Sequence, residues 1–188
     1  MMEDTMNIKT KGLKVVDMIY IAMFAIIIAI CSWISIPAAV PFTLQTFAVL
    51  CTVGILGGKR GTIAVGVYIL LGIVGVQVFQ GFSGGIGVLL GNTGGYIIGF
   101  LFTSLIYWLI TKVFGNKMIP MIVGMVLGLL ACYVFGTAWF MFVYSQNKGA
   151  IGLMTALGWC VFPFILPDLI KLALAVILTK RLRKYVRD

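Results

Sequence analysis

The sequence predicts an all-α membrane protein with six transmembrane helices, both termini in the cytoplasm and a buried Gly-rich loop between helices 3 and 4. Three observations carry this. Of 188 residues, 62% are apolar and only 10% are charged, whereas a soluble domain is about half apolar and about a quarter charged. The apolar residues gather into span-length runs joined by short polar connections, which leaves no room for a soluble domain. The alternating pattern of a membrane β-barrel, about ten residues per strand, is absent. Finally, all 14 basic residues except Lys148 and Lys171 fall on one side of a six-span arrangement. Lys9, Lys11 and Lys14 precede the first span, Lys59 and Arg60 follow the second, Lys112 and Lys117 flank the turn after the fourth, and Lys180, Arg181, Arg183, Lys184 and Arg187 follow the sixth. Basic residues stay on the cytoplasmic side. Residues 1–188 therefore read as a single transmembrane domain with a cytoplasmic lead over 1–16 and a basic cytoplasmic tail over 180–188.

The first span runs from Asp17 to Ile36, entered without an A-x-A site, so no cleavable signal peptide is expected. Ala22, Ala25 and Ala29 form a ridge of small residues that permits close helix approach, either to a partner or within the chain. Pro37 and Pro41 then oppose a continuous helix. The chain is read as an outer loop or broken helix leading into a short second span that ends near Leu56. Thr43, Gln45 and Thr46 are polar at membrane depth; they line a cavity or satisfy backbone groups freed by the prolines. Gly57-Gly-Lys-Arg-Gly61 is an inner turn. It is not a phosphate loop, because Val53 stands where the first Gly belongs and Arg60 where Ser or Thr should follow Lys59. The third span covers Thr62 to Val78.

Phe79 to Tyr96 contains seven glycines and no charge. It is too Gly-rich for a stable helix and too apolar for a solvated linker. Its main chain, at Gly84 and Gly85 for example, can approach a ligand closely. Phe79, Phe82 and Tyr96 offer apolar walls, and Asn92 offers an amide. The segment is a pocket wall or lid on the outer face, or a tight packing loop. The fourth span is Gly95 to Val113. The fifth, Met118 to Tyr144, would measure about 40 Å as a helix and must tilt or project. Ser145 to Trp159 lies outside, with room for a short surface helix. The sixth span starts at Pro163 or Pro167 and ends near Lys180.

That last span holds the least expected residues. Asp168 and Lys171 lie three apart, on one helix face, and each costs roughly 2.5–3.5 kcal/mol at a helix centre. Intramembrane ionisable residues mark a pathway, a ligand or a structural ion pair. The helix N-terminus favours an anion at Asp168. The net charge of +9 does not point to nucleic acid, because its sources are distributed as topology anchors facing anionic lipid. Cys31, Cys51, Cys132 and Cys160 are scattered, with no CxxC and no His in the chain. They read as small buried hydrophobes, without a disulfide framework or a metal site. With no nucleophile–base pair the chain does not read as an enzyme.

Four motifs coincide: Val40-Pro-Phe-Thr-Leu-Gln-Thr46, Leu56-Gly-Gly-Lys-Arg-Gly61, Leu90-Gly-Asn-Thr-Gly-Gly-Tyr96 and Pro167-Asp-Leu-Ile-Lys171. Together, over about residues 17 to 183, they resemble the BioY family, the biotin-specific S components of energy-coupling-factor (ECF) vitamin transporters. The resemblance implies a multi-pass plasma-membrane subunit that binds biotin in the outer half of its bundle and carries no cofactor. It implies a transmembrane coupling protein and two cytoplasmic ATPase subunits as partners, with Ala22, Ala25 and Ala29 as the docking face. Substrate contacts are expected from Asp168, Lys171, Asn92, Tyr96, Phe79, Phe82, Gly84, Gly85, Gln45 and Thr43. Family members commonly have Pro at the position of Asn92, so the resemblance lends Asn92 no role. An S component for another vitamin, or a small channel or exporter, is the alternative.

Overall fold

A computed structural model describes residues 13–36, 40 and 42–186. The expected cytoplasmic lead up to residue 12, Pro37, Pro41 and Arg187 lie outside the described residues. Among the described residues the architecture is helical, with one short β-hairpin.

Helix α1 (Val15–Trp33) begins where the Asp17 carboxylate accepts from the Lys14 backbone N–H at 3.1 Å, an anion suited to a helix N-terminus. Asp17 also pairs with Arg60 at 3.0 Å. Strands β1 (Ser35–Ile36) and β2 (Phe42–Thr43) pair antiparallel, so the described residues on either side of the two prolines are extended and not helical. Helix α2 (Gln45–Leu56) is buried along almost its whole length. Helix α3 (Gly58–Ile73) follows after a single residue, Gly57, whose φ of +81° permits the abrupt reversal. The inner turn is thus shorter than the sequence suggests, and Lys59, Arg60 and Gly61 are already helical.

The Gly-rich segment carries a 3₁₀ turn (Gln80–Phe82) and the short helix α4 (Ile86–Leu90). It is not wholly buried: Phe79, Leu89, Gly94 and Gly95 are inside, whereas Phe82, Ile86, Leu90 and Asn92 are exposed. Helix α5 (Gly94–Phe114) and helix α6 (Met118–Lys148) form a close pair. Small residues make the approach possible. A Cβ at Gly99 would meet Cys132 Sγ at 2.7 Å, and one at Gly128 would meet the Thr103 carbonyl oxygen at 2.8 Å. Pro120 falls in the first turn of α6, where no intrahelical N–H is needed. Helix α7 (Leu153–Cys160) is the short helix expected outside the fifth span. Helix α8 (Phe162–Val186) begins one residue before Pro163 and keeps Pro167 within it.

Four stretches are long and apolar enough to cross a membrane: Val15–Trp33, Gly94–Phe114, Met118–Lys148 and Leu153–Val186, the last joining α7 and α8. Helices α2 and α3, at 12 and 16 residues, are shorter than the roughly 20 residues a straight crossing requires. The surface of the bundle is apolar, with Ile26, Leu70, Leu109, Ile119, Val134, Leu166 and Ile177 exposed.

The first-helix alanines do not form one exposed ridge. Ala22 is exposed, but Ala25 and Ala29 are only 2% and 4% accessible. They belong to the buried cluster that includes Val65, Tyr68 and Ile69 of α3. Their small size is used for packing inside the chain, because α1 lies directly against α3.

Candidate ligand-binding site

A cavity opens at the end of the bundle where α2, α5 and α8 begin. The volume open to the centre of a water-sized sphere is about 160 Å³, far above the roughly 10–15 Å³ that one water needs. A small organic molecule fits such a space. Phe79, Phe100, Leu129 and Phe164 give it apolar walls, and Thr43, Gln45, Gln80, Ser83, Thr93 and Tyr96 supply polar groups.

Asp168 and Lys171 form part of the wall. They are 2% and 6% accessible, and the ammonium lies 2.8 Å from Asp168 Oδ1. The second carboxylate oxygen accepts from the Tyr133 hydroxyl of α6 at 2.5 Å. The Lys171 ammonium also donates to the Thr43 carbonyl oxygen at 2.8 Å and sits 4.4 Å from the centre of the Phe42 ring. That ring stacks on Phe164, with centroids 5.2 Å apart. A buried ion pair offsets its desolvation only when its remaining hydrogen-bonding capacity is also met. Here the protein supplies those partners from the β-hairpin and from α6. Helical phase alone brings Asp168 and Lys171 together; the hairpin and α6 complete the site.

Two further polar pairs involve residues of the cavity wall. Gln45 Nε2 donates to the buried Tyr68 hydroxyl at 2.7 Å, which fixes the side chain at the cavity edge. The Tyr96 hydroxyl shares a 2.9 Å hydrogen bond with Thr137. Among the described residues no group of three or more Cys, Asp or Glu side chains is placed to hold a metal ion.

A model of the BioY family matches residues 4–188. The chain belongs to the BioY family. It is 38% identical over 169 residues to the biotin transporter BioY of Thermotoga maritima, covering 89% of this chain and 96% of that one. It is 37% identical over 172 residues to the probable biotin transporter BioY of Pyrococcus horikoshii, covering 91% and 98%. Among solved structures, the S-component for biotin from an ECF-type ABC transporter superposes with a TM-score of 0.79 at 31% identity, covering 89% of this chain and 90% of that one.

In this BioY-family chain the residues singled out from sequence divide into two groups. Asp168, Lys171, Tyr96, Phe79, Gln45 and Thr43 all line the cavity. Phe82 does not: it is 60% exposed and stacks on Trp33 of α1, centroids 4.8 Å apart. Asn92 is also exposed, and its neighbour Thr93 faces the cavity instead. Gly84 and Gly85 serve the loop itself. A Cβ at Gly84 would meet the Val76 carbonyl oxygen at 2.5 Å, and the Gly85 N–H donates to the Gly72 carbonyl oxygen at 2.7 Å. They dock the loop on the end of α3, while Gln80 and Ser83 face the cavity.

Tyr133 escaped the sequence reading. A signal was present, because it is a hydroxyl-bearing aromatic in the middle of a span, away from the interfaces where tyrosines concentrate.

Proposed function

We propose that this chain is the biotin-binding S component of an ECF-type vitamin transporter in the cell membrane, and not itself an enzyme. The observation that carries the reading is the buried Asp168–Lys171 pair on the wall of a cavity, in a chain whose relatives include biotin transporters. The bicyclic head of biotin presents two N–H donors and one carbonyl acceptor, which complement a carboxylate and an ammonium. Its thioether ring and aliphatic chain suit the Phe79, Phe100 and Phe164 walls.

The ureido ring belongs at Asp168 and Lys171. The pair is net neutral, and a neutral ring preserves that balance while adding hydrogen bonds. The ligand's carboxylate would bring a second anion beside Asp168, so it belongs nearer the mouth, toward Gln45 and the Gly-rich segment. In the membrane, α2 and α3 complete the six crossings, with both termini cytoplasmic. Active uptake draws its energy from two cytoplasmic ATPases through a transmembrane coupling protein. Of the three first-helix alanines, only Ala22 offers a side chain to such a partner directly.

Isothermal titration of the detergent-purified protein tests the reading. Biotin binds saturably, and biotin amidated at its carboxylate loses less affinity than biotin methylated on the ureido ring. The absence of biotin binding, with saturable binding of a different vitamin, overturns the assignment. Tight binding of the methylated ring together with failure of the amide reverses the orientation.

A further inference from the structure

The part of the cavity wall between α3 and α4 is held from outside the cavity, by the end of α1. Residues 79 to 83 close into a small turn. The Phe79 N–H donates to the Ser83 carbonyl oxygen at 3.0 Å, and the Ser83 hydroxyl donates to the Gln80 carbonyl oxygen at 2.7 Å. Phe79, Gln80 and Ser83 line the cavity. Gly81 and Phe82 are both left-handed, with φ of +68° and +55°. Glycine adopts that backbone freely, whereas a bulky side chain there is an outlier that its surroundings must hold. Phe82 is the one non-Gly residue with positive φ among the described residues. Its ring stacks on Trp33, the last residue of α1, with centroids 4.8 Å apart. The Trp33 indole N–H also donates to the Gln77 carbonyl oxygen at 3.0 Å, and the buried Ser32 hydroxyl lies 2.6 Å from the Val78 carbonyl oxygen. Two adjacent residues of α1 thus grip the chain at positions 77, 78 and 82. Neither Trp33 nor Phe82 lines the cavity.

We propose that Trp33 is a positioning residue for ligand binding. With Phe82 it forms a clasp that keeps the turn closed on the bundle and so seats the Gln80 amide on the cavity wall. The stack offsets the unfavourable backbone of Phe82. Without it the turn spends part of its time elsewhere, and apparent affinity falls with the fraction of molecules still competent to bind. The inference rests on the biotin reading above for its ligand, and it gives Phe82 a function outside the cavity. An amide offers two donors and one acceptor, which suits the carboxylate end of the ligand that the same reading brings to this segment.

Isothermal titration of biotin into the detergent-purified full chain tests this in a double-mutant cycle. Trp33→Leu weakens biotin roughly three- to tenfold, the worth of one aromatic pair, and Gln80→Ala weakens it by a similar factor. Because Trp33 acts through Gln80, adding Trp33→Leu to Gln80→Ala costs no more than about a further twofold. A merely structural role predicts the same factor in both backgrounds, and that outcome overturns the proposal. Unchanged affinity in either single variant does so as well. If Trp33→Leu does not fold, the exposed Phe82 carries the test. Phe82→Tyr keeps the stack and binds within about twofold of the wild type. Phe82→Gly loses the stack but suits the left-handed backbone, whereas Phe82→Ala loses the stack and keeps the strain, so the alanine variant binds more weakly than the glycine variant. A glycine variant as weak as the alanine variant, or weaker, overturns the clasp. A wild-type chain that binds no biotin overturns the functional reading, and the clasp with it, whereas biotin binding with one common factor overturns only the role of Trp33.

Discussion

The Lys171 ammonium donates to the main-chain carbonyl oxygen of Thr43 at 2.8 Å, across 128 residues of sequence. The same ammonium holds Asp168 one helical turn away. One cation therefore ties α8 to the β-hairpin that borders the cavity, and removing it should affect the fold as well as the ligand.

Lys171→Met leaves the Asp168 carboxylate buried without its cation. Breaking a buried pair in this way costs about 3–5 kcal/mol, whereas removing both charges is often close to neutral. Lys171→Met should lower the melting temperature of the detergent-purified protein markedly, and Asp168→Asn/Lys171→Met should recover most of the loss. Neither variant should regain biotin affinity. Equal destabilisation in the single and the double variant would mean that Lys171 stabilises mainly through Thr43.

Asp168→Asn alone keeps the shape and removes the charge. Hydrogen bonds to charged groups contribute about 1.5–3 kcal/mol, so biotin should bind at least roughly tenfold more weakly by titration. Unchanged affinity would place the ureido ring elsewhere.

The glycines of α3 offer a paired test. A Cβ at Gly72 would collide with the ring of Phe79, which is buried on the cavity wall and edge-on to Tyr68, with centroids 5.6 Å apart. A Cβ at Gly66 on the same helix meets nothing within 4 Å. Gly72→Ala should push Phe79 into the cavity and reduce both biotin affinity and thermal stability. Gly66→Ala should leave affinity unchanged and gain up to about 1 kcal/mol of helix propensity. Matching behaviour of the two variants would refute the steric account.

Ala25→Leu should destabilise the isolated protein by about 1–3 kcal/mol, because α1 and α3 leave no room for the added carbons. Ala22→Leu, on an exposed position, should change stability by no more than about 0.5 kcal/mol. Melting curves of the two variants decide it. A stable Ala25→Leu protein with impaired transport would assign that position to partner docking.

Lys59, Lys117 and Lys148 are all exposed, so single cysteines placed there on a cysteine-free background report topology. Lys59→Cys and Lys117→Cys should react only from the cytoplasmic side, and Lys148→Cys only from outside. Labelling of Lys59→Cys from outside would end the six-span arrangement.

Composition, hydropathy and the placement of basic residues were enough to specify a helical membrane protein and to bracket most of its helices. Lipid admits only backbone that satisfies its own hydrogen bonds, so a long apolar run has few other solutions. Asp168 and Lys171 were legible for the same reason: a charge in a span is costly, and helical phase puts residues three apart on one face. The Gly-rich segment was visible as unusual, but its inner and outer sides were not. Glycine tolerates many backbone paths, and only the docking of Gly84 and Gly85 on the end of α3 turned Phe82 and Asn92 outward and Gln80, Ser83 and Thr93 inward. The alanines of α1 were equally ambiguous, since a small residue permits close approach by any helix, and only the tertiary structure shows Ala25 and Ala29 packed in one cluster with Val65, Tyr68 and Ile69 of α3. Tyr133 became part of the site only when α6 crossed α8. A hydrogen bond between residues 35 apart in the chain has no local signature, and its direction depends on a charge held by another helix.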